Sequence, residues 1–451
     1  MKYIKNLFLV VPLFIFSSCS SSSSGHEDIS ETPSKIFSKT TGTSKKESSH
    51  GFVIDSSENI YLCGTSEGNL TVESNTTYKN FFIQKLSPKG DNIWVKQYSQ
   101  IDENVETEVA GITIDMDNNV YVGGNFTEHV SSGGTNYGLF ITKYNSSGSA
   151  IWFKKITNNG ATLDVIKVSK DNKLYFSGHT ANNMSQTSMF IAQYSLDGDK
   201  LLEKEFAKID KNGGYHEVND IDFDAHNNIY LAGRYLSTPF DYPNGNSDLF
   251  ITKFSTSLAQ IWISILGATD EIDTDISSTE EINSIKIVDG YIYAVGATHG
   301  NFDDLHSTKT MSLYSRYGIF MKLNTDGVEI FRKQFSFNNK NTIPLKLLQE
   351  KNNAFTTMVF NGEMNFYTSE TNILQRSMAL IELSLSSSGE ILNNQKLLSD
   401  NNDIYYLHNL DAKYTSDGTL ITTSEKNKGG HFIITPTPTD NRDLDVHLTI
   451  Y

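Results

Sequence analysis

Along most of the chain, short runs of aromatic and β-branched residues alternate with clusters of Asp, Asn, Ser and Gly. No apolar stripe recurs at helical spacing over a useful length, so the runs predict strands. One of them, DNNVYVGGNF from Asp117 to Phe126, returns with small changes. ENIYLCGTSE begins at Glu58, DNKLYFSGHT at Asp171, HNNIYLAGRY at His226 and DGYIYAVGAT at Asp289. Aligned on Gly64, Gly124, Gly178, Gly233 and Gly296, the copies lie 60, 54, 55 and 63 residues apart. Internal repeats of this length set the architecture and must be read first.

Each copy holds four runs in fixed order. In the second they are GITID (111–115), NVYVGG (119–124), LFITKY (139–144) and AIWFKKI (150–156). Asp-Asn-Asn joins the first two and Asn-Ser-Ser-Gly the last two, residues that tolerate the positive φ of hairpin turns. Each copy therefore predicts a four-stranded antiparallel meander, apolar on both faces. Stacking the copies around an axis buries both faces and protects the edges. A meander alternates its ends, so its second and fourth connections emerge on one face. These are the long, irregular ones, and function usually lives on such loops.

The combined pattern D-x-x-x-N-x-Y-x-x-G … F-I-x-K-x-x-x-x-G-x-x-x-W resembles the bacterial seven-bladed β-propeller repeat (SBBP-type). It is carried also by 81–99, 249–265 and 319–335, and it decays in 352–397 and 417–437. The resemblance implies an all-β, seven-bladed β-propeller of four-stranded antiparallel blades. Six copies are full and the seventh lacks an outer strand. Lys35–Thr41 (KIFSKTT) resembles the outer strand Glu329–Phe335 and is the preferred closing strand; Asp445–Tyr451 is the alternative. The Tyr, Gly and Trp of the repeat read as scaffold.

The N-terminus reads as an export signal. Lys2 and Lys5 precede an apolar run of ten residues, Leu7 to Phe16. That is shorter than the ~20 residues of a membrane span and suits a secretory leader. The following Phe16–Cys19, FSSC, resembles the lipobox of bacterial lipoproteins, with Cys19 as the acylated residue; the alternative is an ordinary secreted chain with a chance cysteine. Domain limits follow: 1–18 as signal peptide, 19–34 as acylated Cys and Ser-rich tether, 35–451 as propeller. A multiply acylated cysteine makes a stable anchor, which implies a cell-envelope protein tethered to the outer membrane, periplasmic or surface-facing. Cys63, the other of two cysteines, then has no disulfide partner and sits in a strand pattern.

With 37 basic and 53 acidic residues the net charge is −16, and cleavage before Cys19 makes it −18. Nucleic acid and anionic lipid are thereby disfavoured as partners; cations, glycans and proteins remain. No cofactor motif is present, and the one candidate ion is Ca2+. The segment 268–281, ATDEIDTDISSTEE, carries Asp270, Asp273 and Asp275 beside Glu271, Glu280 and Glu281. Carboxylates in that density suit a hard cation, but EF-hand spacing is missing, and a solvated acidic loop is the plainer reading. The longest insertions, 234–245 and 298–318, carry Tyr235, Phe240, Tyr242, Phe302, Tyr314 and Tyr317. Exposed rings suit sugars or apolar partners; the alternative is that they pack on one another.

Catalytic patterns are weak. Gly64–Gly68 spells a nucleophile elbow without its strand-to-helix context. Asp115–Asn119, DMDNN, matches a cation loop but is better explained as a hairpin turn. No His-Glu-x-x-His or phosphate-cradling loop occurs. The sequence therefore favours a binding or scaffold protein for a protein or glycan partner on the long-loop face. The alternative is a glycan hydrolase or lyase using carboxylates at the channel mouth. Cys19→Ser is expected to abolish radiolabelled palmitate incorporation and to move the chain from the membrane to the soluble fraction.

Overall fold

The computed structural model describes residues 37–71, 78–98, 104–130, 133–157, 160–182, 186–209, 216–236, 247–267, 280–299, 316–336, 341–349, 354–362, 378–399, 406–417, 419–427 and 444–450. Among them every regular element is a strand. The chain opens with β1 (Phe37–Thr41). A first sheet follows, β2 (Glu47–Ile54), β3 (Ile60–Ser66), β4 (Asn80–Leu86) and β5 (Asn92–Gln97). The second is β6 (Val105–Ile114), β7 (Val120–His129), β8 (Thr135–Tyr144) and β9 (Ala150–Thr157). The third is β10 (Ala161–Val168), β11 (Lys173–Asn182), β12 (Gln186–Ser195) and β13 (Lys200–Ile209). The fourth is β14 (Glu217–Phe223), β15 (Ile229–Leu236), β16 (Ser247–Phe254) and β17 (Gln260–Leu266). The fifth is β18 (Glu281–Val288), β19 (Tyr291–Thr298), β20 (Tyr317–Asn324) and β21 (Glu329–Phe335). The sixth is β22 (Asn341–Gln349), β23 (Phe355–Gly362), β24 (Met378–Leu385) and β25 (Ile391–Ser399). The last joins β26 (Tyr406–Tyr414), β27 (Leu420–Asn427) and β28 (Leu444–Ile450) to β1 in the order β1-β28-β27-β26.

The last sheet differs from expectation in one respect. The N-terminal strand and the C-terminal strand, set as alternatives by the sequence, are both used. β28 takes the third place, where residues 431–437 were expected, and β1 pairs outside it from Phe37↔Ile450 to Thr41↔Val446. The segment 431–437 lies outside the described residues. Both terminal runs have strand composition, and pattern alone does not rank two strands that fit one sheet.

First strands of successive sheets pack side by side, from β2 against β6 to β22 against β26, and β26 packs against β2. The core lies between the faces of neighbouring sheets. One cluster joins Tyr61, Cys63, Phe81 and Tyr98 of the first sheet to Val122 and Phe140 of the second. Phe140 stacks between Phe81 and Phe153, with ring centroids 5.0 and 5.6 Å away. Cys63 is fully buried, as a small apolar residue in this layer.

The repeated letters have separate physical jobs. Asp55, Asp115 and Asp224 each accept two backbone N–H bonds of their own turn at 2.8 to 3.0 Å. The same carboxylates accept the hydroxyls of Tyr61, Tyr121 and Tyr230 at 3.2, 2.9 and 3.1 Å. Asp115–Asn119 is therefore a turn, with Asn118 at φ 62°. In three repeats a Lys and a Trp reach onward. Trp94 Nε1 and Lys85 Nζ donate to Ser146 O of the next sheet at 3.3 and 3.2 Å. Trp152 and Lys143 hold Leu196 O, and Trp262 and Lys253 hold Thr325 O, in the same way. These turns carry a glycine at positive φ, and a Cβ on Gly148 or Gly327 would come within 2.9 or 3.0 Å of the indole resting on it.

The glycine that marks each repeat faces a β-bulge. Gly64, Gly124, Gly178, Gly233 and Gly296 each pair with the residue just before a register shift in the first strand. A Cβ on them would sit 1.9 to 2.1 Å from a carbonyl oxygen of that strand. Bulges re-aim side chains, and here the bulged residue ties neighbouring sheets. Asn219 Nδ2 donates to Ile282 O at 2.9 Å and Asn283 Nδ2 to Pro344 O at 2.8 Å. Ser66, the serine of the elbow-like Gly64–Gly68, is buried in β3 and donates to Glu47 Oε1 at 2.8 Å. Gly233→Ala is expected to cost about 2–4 kcal/mol in urea unfolding, and Gly134→Ala, with open space at its Cβ, less than about 0.5 kcal/mol.

Candidate functional site

Antiparallel order sends the start of each first strand and the end of each second strand to the same end of its sheet, opposite the short turns. The Lys–Trp latches all act on turns between third and fourth strands. They therefore gather on the short-turn face, and the connections 237–246, 268–279 and 300–315 all depart from the other one.

On that long-loop face the third and fourth sheets bring together a polar group. His216, directly before β14, is fully buried. Its ring packs on Tyr235 at the end of β15, centroids 4.5 Å apart and tilted by 33°. Neither ring nitrogen of His216 has a hydrogen-bond partner among the described residues. A buried donor or acceptor left unsatisfied costs ~1–3 kcal/mol. Burial first, and the neighbouring His179 second, hold its pKa down at about 4. His179, on β11, behaves in the opposite way. Burial alone would lower its pKa, but the Asp164 carboxylate, with Nδ1 3.2 Å from Oδ2, raises it together with Glu217. Asp164 is the bulged residue of β10 and also accepts the Val218 N–H at 3.1 Å. Beside them Arg234 Nη2 meets Glu217 Oε2 at 2.8 Å.

Two of the predicted aromatic residues fall on described segments, and both are folded inward. Tyr235 is half-buried against His216, and its phenol pKa is raised by burial and then by Asp248. Tyr317 is the first residue of β20 and only 9% exposed, so its ring belongs to the sheet. Its neighbour Arg316 staples two sheets, through Glu281 Oε1 at 2.7 Å and through its backbone N–H to Asn341 Oδ1 at 2.6 Å. Phe240, Tyr242, Phe302 and Tyr314 lie outside the described residues, as do Asp270, Asp273, Asp275 and Cys19. Glu280 is buried and accepts from Thr298 Oγ1 at 3.1 Å. Among the described residues no three His, Cys, Asp or Glu side chains converge as a metal ion would require.

The sequence did not single out His216 or His179. Their signal was faint, two of eleven scattered histidines with nothing regular in their spacing. Among the described residues, each carboxyl whose pKa moves is pushed down. That is away from the protonated state a glycosidase acid needs.

The histidine pair predicts a pH dependence whose sign is fixed. His216 has a folded pKa of about 4 against an ordinary 6.5, so its contribution is present above pH 6.5 and is lost as pH falls toward 4. His179 opposes this, since its raised pKa stabilises the fold at low pH and that contribution fades as pH rises through its folded value. His216→Phe keeps the ring contact and removes the titration. It is expected to cut the loss of stability between pH 7 and pH 5 by about 2 kcal/mol, read from urea unfolding at both values.

No protein-family model matches the chain, and no curated protein matches it. Among solved structures it is similar to a polysaccharide lyase, Uly1, with TM-score 0.49 and 9% identity over 89% of each chain. A protein of unknown function from Dyadobacter fermentans gives 0.44 and 10%, over 92% of this chain and 98% of that one. An α-L-arabinofuranosidase from Fusarium graminearum gives 0.45 and 10%, over 75% and 92%. At this level of likeness the all-β, propeller-like architecture rests on the strand pairing above, and none of these activities passes to this chain.

Proposed function

We propose that the seven sheets are the blades of a closed propeller, joined by β28 and β1, and that Cys19 anchors it by lipid to the cell envelope. In this reading the protein is a binding or scaffold protein, and its long-loop face takes a protein or glycan partner. The observation that carries the reading is the separation of duties between the two faces. The Lys–Trp latches act on the short turns, so the opposite connections are free to vary in length without loosening the stack. Rigid scaffolds with variable loops are built for recognition. The buried His216, with its ring nitrogens unsatisfied beside the root of 237–246, adds polar capacity at that face. Calcium held by the acidic segment 268–281 remains part of the proposal, with chelation as its test.

Replacing 237–246 or 300–315 by a short Gly-Ser link tests the reading. A glycan array and a crosslinked pull-down from intact envelope supply the partner. At least one deletion should reduce its capture more than tenfold while thermal unfolding stays within a few degrees of the wild type. Undiminished capture by both deletions would overturn the proposal.

A further inference from the structure

The first strands carry a second polar cluster, which does not depend on the loop-face reading. Relative to each bulge, equivalent positions form two tiers two residues apart. The upper tier includes Asp220, Ser284, Lys346 and Asp411; the lower includes Lys167, Asp222, Lys286 and Lys413. Each aspartate clamps a neighbouring sheet. Asp220 Oδ2 accepts from Ser284 Oγ at 2.7 Å and from the Ile285 N–H at 3.0 Å. Asp222 Oδ2 accepts the Ile287 N–H at 2.8 Å. Asp411 Oδ2 accepts the Phe52 N–H at 3.3 Å, across the junction of the last and first sheets.

Three lysines balance these charges. Lys167 Nζ lies 2.6 Å from Asp222 Oδ1 and also donates to Ile221 O at 2.8 Å. Lys346 Nζ lies 3.5 Å from Asp411 Oδ1. Lys413 donates to Phe52 O and lies 3.7 Å from Asp411 Oδ2. The fourth, Lys286, has no hydrogen bond or ion pair among the described residues. It is half-buried and feels Asp222 and Asp220 only at longer range, opposed by Lys167 and Lys346.

With all four lysines protonated, four against three aspartates leave one positive charge in excess, in a protein whose net charge is −16. A plain structural role accounts for Lys167, Lys346 and Lys413, because half-buried carboxylates need partners. It leaves Lys286 unexplained, since an ammonium at this position gains no partner and costs desolvation. The space is also reachable: the three paired lysines keep between 26% and 32% of their side-chain surface exposed although they stand on the innermost strands.

We propose that this axial cluster binds one oxyanionic group, a carboxylate or sulfate of a small ligand, with Lys286 as its charge partner and Lys346 and Lys413 flanking it. An anion there neutralises the excess charge without disturbing the three clamps. Burial and the neighbouring lysines push the Lys286 and Lys413 ammonium pKa values down, and a bound anion reverses both. The cluster spans the third to last sheets and the junction with the first, so occupancy ties the stack together along its inner strands.

The test is calorimetric titration and thermal unfolding of the full chain in a non-ionic detergent. Sodium glucuronate and sodium sulfate are the probes, with glucose and sodium chloride at matched ionic strength as controls. A saturable response to glucuronate or sulfate, absent with both controls, is expected, and the probe that acts tells a carboxylated from a sulfated ligand. Lys286→Met should weaken it at least tenfold, and Lys286→Arg should retain it. No saturable binding by the wild type overturns the proposal, as does unchanged affinity in Lys286→Met. Should Lys286→Met fail to fold, Lys286→Gln takes its place, and the wild-type titration alone still decides whether the anion binds.

Discussion

The structure depends on how one sheet holds the next. A lone four-stranded meander with two apolar faces has nowhere to bury either, so every sheet needs two neighbours. A recurring contact between them is a single backbone carbonyl of a third-to-fourth turn, used in the second to sixth sheets. In three junctions, first to second, second to third and fourth to fifth sheet, Ser146 O, Leu196 O and Thr325 O receive an indole N–H and a lysine ammonium from the preceding sheet. The indole lies flat on a turn glycine at two of these junctions, where a side chain would collide. Where the latch is altered, its geometry survives: Gln193 Nε2 donates to Thr256 O at 3.3 Å, and Phe331 lies against Gly389.

A second device works at the other end of each sheet. The bulge opposite the repeat glycine turns one side chain of the first strand toward the next sheet. Asn219 and Asn283 spend that side chain on structure. Asp164 does the same for the Val218 N–H and also charges His179. One backbone irregularity thus serves packing at some junctions and a titrating pair at another. The His179–His216 pair sits where burial and a carboxylate act in opposite senses on two adjacent rings, so protonation of one disfavours protonation of the other.

The charges along the inner strands follow the same economy. Asp220, Asp222 and Asp411 are half-buried acceptors for neighbouring N–H groups, and a carboxylate drawn out of water demands cations nearby. Lysines from three different sheets supply them. Inter-sheet geometry and inner-strand electrostatics are therefore one system. Lys286 is the element that this system does not itself require.

Much of the scaffold was legible in the sequence, because its parts are local. A turn that needs Asp, Asn and positive φ within five residues writes itself into three copies, and a glycine pressed against a carbonyl of the adjacent strand into five. The Trp and Lys recur because each copy meets the same surface of its neighbour. The N-terminal run resembling an outer strand also announced its place. Other features were decided only when distant segments met. Asp220 is 64 residues from Ser284, and Asp411 is 359 from Phe52. The tier positions hold Asp220, Ser284, Lys346 and Asp411 in successive sheets, so no motif marks them, and their meaning lies in the charge sum rather than in any residue. The sequence by itself determined the strands, the turns and the repeat, since each depends on neighbours a few residues away. The tertiary structure alone decided which terminal strand lies inside, which histidines feel each other's charge, and where a lysine stands without a carboxylate, because burial and Coulomb interactions depend on distance in space.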